Sequence, residues 1–170
     1  QGSVNVRYVV TARETPVASL AGGGTLTLEF ELLSRLTGDD SFGKAAKLAS
    51  RALWMKRSAT NLLGKHINVQ GGAWTEHLSG IGSNSDSYLE YLVKHYVLFP
   101  EDSDFWTMVQ AVYSGIYREA RVGEWYKDVD MMQGAAGVQT RRVLESLMGF
   151  YPDMQRLLGE VAPAARTLSS

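Results

Sequence analysis

The sequence contains no cysteine, which excludes disulfides, thiolate metal sites and a cysteine nucleophile. Its three histidines, His66, His77 and His95, have no metal-binding spacing such as H-x-x-x-H, which argues against a zinc site. No run of about eighteen apolar residues is present, so the sequence predicts no membrane-spanning helix. Neither sign of charge dominates, since 17 Lys and Arg residues stand against 18 Asp and Glu residues. This balance argues against a surface for nucleic acid.

The overall composition is that of an ordinary globular protein. Apolar residues make up 45% of the 170 residues and charged residues 21%, which is enough to form one domain with a sizeable core. The chain begins at Gln1 rather than at methionine, so we expect a processed product or part of a longer protein.

Apolar residues recur at helical spacing along most of the chain, and glycine, proline and N-cap residues mark the predicted helix ends. The predicted helices span residues 26–37, about 40–57, 86–98, from about 103 onward, 139–150, 152–158 and from 163 onward. Residues 67–69 and 74–76 predict a small hairpin, and residues 125–132 an extended segment. The sequence therefore predicts a mainly α fold of antiparallel helix pairs with short strands in the loops.

The most informative stretch is a glycine-rich loop, residues 79–85, that leads directly into a predicted helix. Asp86 lies in the first turn of this helix, and Glu90 and Lys94 follow at intervals of four, so all three share one narrow polar stripe. An N-cap role for Asp86 and a surface ion pair between Glu90 and Lys94 explain the pattern by themselves. Alternatively the stripe faces an internal cleft, because the rest of the helix is apolar and leaves little surface for solvent.

A second candidate acid lies in the helix predicted over residues 26–37. Glu29 falls near the middle of an arc of leucines and phenylalanine, whereas Glu31 falls on the polar side. A carboxylate in an apolar arc is costly unless it is paired, hydrogen-bonded or used in a site. We therefore predict that Glu29 points inward, and both a structural hydrogen bond and a polar cavity are compatible with that position.

Two stretches of the chain carry distinctive motifs. Residues 21–38 read AGGGTLTLEFELLSRLTG, and residues 80–94 contain GIG followed by DSYLEYLVK. Both stretches resemble class I α1,2-mannosidases, glycoside hydrolase family 47. Two further stretches, HINV followed by GGAW and LESLMGFYP, resemble one branch of that family, the endoplasmic reticulum degradation-enhancing α-mannosidase-like proteins. The resemblance covers nearly the whole chain in order.

The resemblance implies that residues 1–170 are the central portion of a single (α/α)7 barrel of antiparallel helical hairpins, with the N- and C-terminal parts outside this chain. It implies an inverting exo-α1,2-mannosidase of the endoplasmic reticulum lumen or secretory pathway that trims high-mannose N-glycans of misfolded glycoproteins for degradation. A catalytically weak, lectin-like mannose-binding degradation factor is the alternative. A third hypothesis is a helical scaffold whose acids form only surface pairs, and exposure of Glu29 would favour it.

By resemblance, Asp86 is the catalytic aspartate, and Glu29, Asn84 and Glu90 bind the sugar. Glycan-trimming mannosidases carry arginine where this chain has Asn84, and the shorter neutral side chain alters the expected contacts with the glycan. The resemblance also implies a calcium cofactor whose ligand residue lies outside this chain, so no metal ligand is assigned. The implied partners are high-mannose N-glycans on glycoproteins and a protein disulfide isomerase.

Overall fold

The computed structural model describes residues 15–139 and 144–169. In these residues helices alternate with short antiparallel strands. The α-helices are α1 (Leu20–Gly24), α2 (Thr27–Thr37), α3 (Ser41–Trp54), α4 (Asp86–Leu98), α5 (Asp104–Glu119), α6 (Tyr151–Leu157) and α7 (Val161–Ser169). The strands are β1 (Val17–Ser19), β2 (His66–Asn68), β3 (Trp74–Glu76), β4 (Leu78–Ser79), β5 (Arg121–Val122), β6 (Trp125–Tyr126), β7 (Val129–Asp130) and β8 (Gly134–Gln139). The predicted mainly α class is confirmed.

The core is formed chiefly by α4 and α5, which run as an antiparallel pair on either side of the turn at Pro100. Tyr88 and Phe105 are fully buried at the start of each helix. The helices α1, α3, α4, α5 and α6 supply most of the other members of the core: Leu20, Leu53, Leu89, Leu92, Val93, Met108, Val109, Val112, Ile116, Tyr151 and Met154. Strands and loops supply the rest: Leu62, Leu63, Ile67, Ile81, Ala120, Tyr126, Val129 and Met131. The long apolar faces predicted for α4 and α5 thus pack on each other. No helix in the described part of the chain is long and apolar enough to cross a membrane.

The strands form three small antiparallel sheets in the loops between helices. The predicted hairpin is confirmed as β2 and β3, and β1 pairs with β2 to complete a three-stranded sheet. A second sheet has the order β4-β7-β8, and β5 pairs with β6. The extended segment predicted over 125–132 contains β6 and β7. The second sheet carries β4, whose end opens into the glycine-rich loop before α4.

Helix α2 ends as its sequence predicts, with Gly38 in the left-handed region at φ 76° and its N–H donating to the Ser34 carbonyl at 2.9 Å. The predicted orientation of this helix is wrong, however. Glu31 is buried and Glu29 is exposed. The leucines of the predicted apolar arc are exposed as well: Leu26, Leu32, Leu33 and Leu36.

The physical reason lies on α3, against which α2 packs. A Cβ at Gly43 would lie 3.2 Å from the Glu31 Cα, so glycine there permits close approach of the two backbones. The Gly43 N–H donates to Ser34 Oγ at 2.8 Å, and Lys47 Nζ lies 2.9 Å from Glu31 Oε2. Hydrogen bonds and an ion pair therefore stabilise burial of the polar face of α2.

The helix predicted over residues 139–150 is also wrong. Gly134–Gln139 is strand β8, residues 140–143 lie outside the described part, and Ser146–Phe150 is a single 3-10 segment. Leu144 and Leu147 fit a helical period but are 70% and 51% exposed, and the 3-10 segment instead packs Met148 and Phe150 against the core. Pro152 then lies in the first turn of α6, a position that needs no backbone donor.

Candidate functional site

Backbone hydrogen bonds hold the glycine-rich loop, residues 79–85, whose first residue also ends β4. The Ser85 and Asp86 N–H groups both donate to the Gly82 carbonyl, at 3.1 and 3.0 Å. Asn84 adopts the left-handed region at φ 73°, which asparagine tolerates better than most residues, and its carbonyl accepts from the Ala21 N–H at 2.8 Å. The loop therefore fixes the start of α4 against α1.

Glu145 contacts the same loop from the other side. Its Oε2 accepts from both the N–H and the Oγ of Ser83, at 3.0 and 2.8 Å. The hydrogen bond from the Ser83 backbone, followed by that from its side chain, holds the pKa of Glu145 below its usual value. A Cβ at Gly82 would lie 2.6 Å from this carboxylate, so the glycine is needed for the contact. Sequence reasoning did not identify Glu145 as part of the site.

A buried ion pair lies beneath the beginning of the loop. Lys65 contacts Asp128, and only 7% of the Lys65 side chain is exposed. A Cβ at Gly80 would overlap the Asp128 carboxylate. The loop thus rests on charged side chains from two other parts of the chain, which restricts its position relative to α4.

The acidic stripe predicted for α4 is present. Asp86 is half-buried in the first turn, and its Oδ1 accepts from the Ser87 N–H at 2.9 Å. Glu90 is half-buried one turn later, with Lys94 Nζ 2.6 Å from its Oε1. The ion pair foreseen from the spacing therefore forms, and Ser85 rather than Asp86 is the N-cap residue.

Glu29 contacts α4 from α2, although its side chain is exposed and does not point inward. The Tyr91 hydroxyl donates to Glu29 Oε1 at 2.5 Å, which ties α2 to α4. This hydrogen bond, with burial and the nearby carboxylates, raises the pKa of Tyr91 to about 12. Arg35 bonds Glu31 and Glu101 instead of Glu29.

A cleft of about 150 Å³ separates α4 from α6. Its lining consists of Glu90, Lys94, Phe150, Asp153, Met154, Arg156 and Leu157. Glu29 and Asp86 are not part of this lining. Of the three predicted acids, Glu90 therefore lines this cleft, whereas Glu29 is joined to α4 through Tyr91.

The exposure of Glu29 favours the scaffold hypothesis on geometry alone, and the ion pair of Glu90 with Lys94 is compatible with it. The described residues contain no group of three or more His, Asp or Glu side chains that could hold a metal ion. The resemblance places the calcium ligand outside this chain.

Comparison with known proteins establishes the class. The family model of glycosyl hydrolase family 47 matches residues 2–168. The structure is similar to an α-1,2-mannosidase from Trichoderma reesei, with a TM-score of 0.70 at 17% identity over 92% of this chain and 34% of that one. The described helices and strands thus have the fold of part of an (α/α) barrel, as predicted. The chain belongs to glycosyl hydrolase family 47.

Among curated relatives, the chain is 45% identical over 166 residues to alpha-mannosidase I MNS4 of Arabidopsis thaliana. It is 39% identical over 166 residues to human ER degradation-enhancing alpha-mannosidase-like protein 2. Each match covers 98% of this chain but only 26% and 28% of the relative. The chain therefore spans about a quarter of the length of the curated relatives it matches.

Proposed function

We propose that the full-length protein containing this chain is an inverting exo-α1,2-mannosidase that trims high-mannose N-glycans. Its substrates would be misfolded glycoproteins in the lumen of the endoplasmic reticulum, which trimming marks for degradation. The observation that carries the proposal is the family match over residues 2–168, together with Asp86 at the start of α4 beside Glu90 and the Glu29–Tyr91 pair. The names of the relatives, α-mannosidase and ER degradation-enhancing protein, support it.

Inverting hydrolysis requires a carboxylic acid that protonates the leaving oxygen and a carboxylate that activates water on the opposite face of the sugar. Asp86 is our candidate for one of these roles, or for electrostatic stabilisation of the oxocarbenium-like transition state. Its Oδ1 is fixed by the Ser87 N–H, and the N-terminal end of α4 favours a negative charge there. We propose that its partner acids come from the rest of the protein.

The other predicted residues would bind sugar hydroxyls. Glu29 and Glu90 present carboxylate oxygens that accept hydroxyl hydrogens, and Lys94, paired with Glu90, presents donors. Asn84, held by its backbone in the loop before Asp86, offers both a donor and an acceptor. Calcium and a protein disulfide isomerase partner are proposed on the resemblance only.

The test uses the full-length protein and a Man9 N-glycan, followed by mass spectrometry. We expect the wild-type protein to release hexose and Asp86→Asn to reduce the rate by about a hundredfold or more, in the range for loss of a transition-state charge. Asp40→Asn is the matched control, because Asp40 also lies at the start of a helix, with a 74% exposed side chain paired to Lys44. NMR detection of β-mannose as the first product would establish inversion.

One observation favours the lectin-like alternative. Glu90 is ion-paired to Lys94 and lines the cleft beside α6, where these two side chains would bind sugar hydroxyls without transferring a proton. If the wild-type protein binds Man9 glycan but leaves its mass unchanged, the mannose-binding degradation factor is correct and the mannosidase proposal is wrong.

A further inference from the structure

Two side-chain hydrogen bonds connect the α1–α2 segment to α4 next to the acidic stripe. Thr25 Oγ1 and Ser87 Oγ lie 3.0 Å apart, and Tyr91 Oη lies 2.5 Å from Glu29 Oε1. The bonded positions advance by four residues on both segments, from 25 to 29 and from 87 to 91. The α2 and α4 backbones therefore run side by side in the same direction here, in a fixed register.

This register relates directly to the candidate acids. Ser87 and Tyr91 each follow a stripe residue, Asp86 and Glu90, by one position in the sequence. The two hydrogen bonds therefore hold Thr25 and Glu29 against α4, at the residues that follow Asp86 and Glu90. Without them Glu29 is an exposed side chain with several rotatable bonds, and its carboxylate would sample many positions.

Tyr91 is chemically suited to hold a carboxylate under all physiological conditions. The hydrogen bond to Glu29 raises the pKa of the Tyr91 hydroxyl to about 12, so the hydroxyl stays protonated. The phenol donates to one carboxylate oxygen of Glu29 and leaves the other for a ligand hydroxyl. Ordering the carboxylate before the ligand arrives lowers the entropy lost on binding.

We propose that Tyr91 is a positioning residue of the sugar site, whose hydroxyl fixes the Glu29 carboxylate beside the acidic stripe of α4. The inference rests on the proposed function, because it takes Glu29 as a group that touches the glycan. Tyr91 itself is expected to act through Glu29.

The test compares Tyr91→Phe with Tyr96→Phe in the full-length protein. Tyr96 lies on the same helix but stacks on Trp106 at 4.9 Å between ring centroids, so its variant removes a phenol hydroxyl away from Glu29. For Tyr91→Phe we expect KM for Man9 glycan, or the glycan Kd, to rise about tenfold, as loss of a hydrogen bond to a charged group predicts. We expect kcat to change less than about twofold, because binding in the ground and transition states is lost equally. We expect only a small fall in Tm, because Glu29 is exposed and water replaces the lost hydrogen bond.

The double variant Tyr91→Phe with Glu29→Ala separates positioning from an independent role, because alanine leaves the Tyr91 hydroxyl no side-chain acceptor at position 29. If Tyr91 acts through Glu29, the double variant binds glycan no more weakly than Glu29→Ala alone. Effects that multiply would overturn the proposal, as would a Tyr91→Phe protein indistinguishable from Tyr96→Phe. A parallel loss of Tm and activity in Tyr91→Phe, with Tm retained in Glu29→Ala, would instead show a structural role. A wild-type protein that neither binds nor trims the glycan would overturn the proposed function itself, and this inference with it.

Discussion

A buried charge cluster between α2, α3 and the turn after α4 offers the sharpest test of the packing. Lys47 Nζ lies 2.9 Å from Glu31 Oε2 and 3.0 Å from Asp102 Oδ2. The three side chains are only 15%, 11% and 19% exposed. Lys47 therefore bridges two carboxylates that water reaches poorly, with Arg35 as a second partner of Glu31 and His95 as a second partner of Asp102.

Lys47→Met keeps much of the side-chain length and removes the charge. It leaves Glu31 and Asp102 close together without their shared cation, and removing one partner of a buried pair costs about 3–5 kcal/mol. Arg35 Nε remains 3.1 Å from Glu31, and both carboxylates keep some access to water. We therefore expect the free energy of unfolding to fall by about 2–3 kcal/mol, at or below the lower limit of that range.

The measurement is urea denaturation of the full-length protein, with Lys44→Met as the matched control. Lys44 lies on the same helix and pairs with Asp40, but both of these side chains are more than 70% exposed. An exposed pair of this kind contributes at most about 1 kcal/mol. Equal losses in the two variants would refute the claim that burial sets the strength of the Lys47 cluster.

The pH dependence of the Lys47→Met deficit provides an independent check. Burial alone would raise the pKa of Glu31, but hydrogen bonds from Lys47 and Arg35 outweigh it and hold the pKa below 4.5. Burial also opposes ionisation of Asp102, whose pKa His95 and Lys47 lower below 3.8. These carboxylates therefore stabilise the fold fully above their ordinary pKa values. That contribution is lost as the pH falls below those values and through the lowered pKa values of the folded state. The deficit should accordingly shrink in acid, where protonated carboxyls need no cation.

Two further predictions follow from groups in and near this core. Burial lowers the pKa of His95 below 6.5, although the hydrogen bond with Asp102 opposes that shift. Lys47 and Glu31 also face the ring, and their charges act in opposite directions. The unfolded chain therefore binds a proton at this histidine more readily than the folded chain. Stability should fall as the pH drops below 6.5, and His95→Phe should flatten that part of the curve in urea denaturation; an unchanged slope would contradict this. Gly115→Ala should lower the free energy of unfolding by about 1–3 kcal/mol, because its Cβ would lie 2.7 Å from the Thr60 carbonyl. Gly149→Ala, with nothing within 4 Å of the added Cβ, is the control, and a gain in stability for Gly115→Ala would show that helix propensity outweighs the clash.

Helix α4 was predictable to the residue because all its determinants are local. The glycine-rich loop before the helix and Pro100 after it determine its ends, and its nearly continuous apolar surface indicates a buried helix. The Glu90–Lys94 ion pair follows from the same spacing. The loop contacts of Glu145 could not be foreseen, because Ser83 lies 62 residues away in the sequence.

The 3-10 segment before α6 could not be predicted from its sequence in the same way. Residues 139–150 have an apolar period that fits a helix, and nothing local distinguishes them from α5. The structure leaves Leu144 and Leu147 exposed and packs Met148 and Phe150 of the 3-10 segment against the core instead. Periodicity predicts which residues share a face, but it does not show which face the rest of the fold covers.

The two glutamates of α2 show why an acid in a buried stripe is an incomplete guide to function. Glu31, on the polar side of the helical wheel, is the buried one, and Lys47 and Arg35 satisfy it completely as a structural ion-pair partner. Glu29 is exposed, as the scaffold hypothesis requires, yet an acid that binds a sugar must also be reachable from solvent. Its single neutral partner, Tyr91, orients the carboxylate without neutralising it. Since family membership favours a glycan site here, the acid that keeps its charge and its access is the better candidate for binding, and the buried acid is the better candidate for stability.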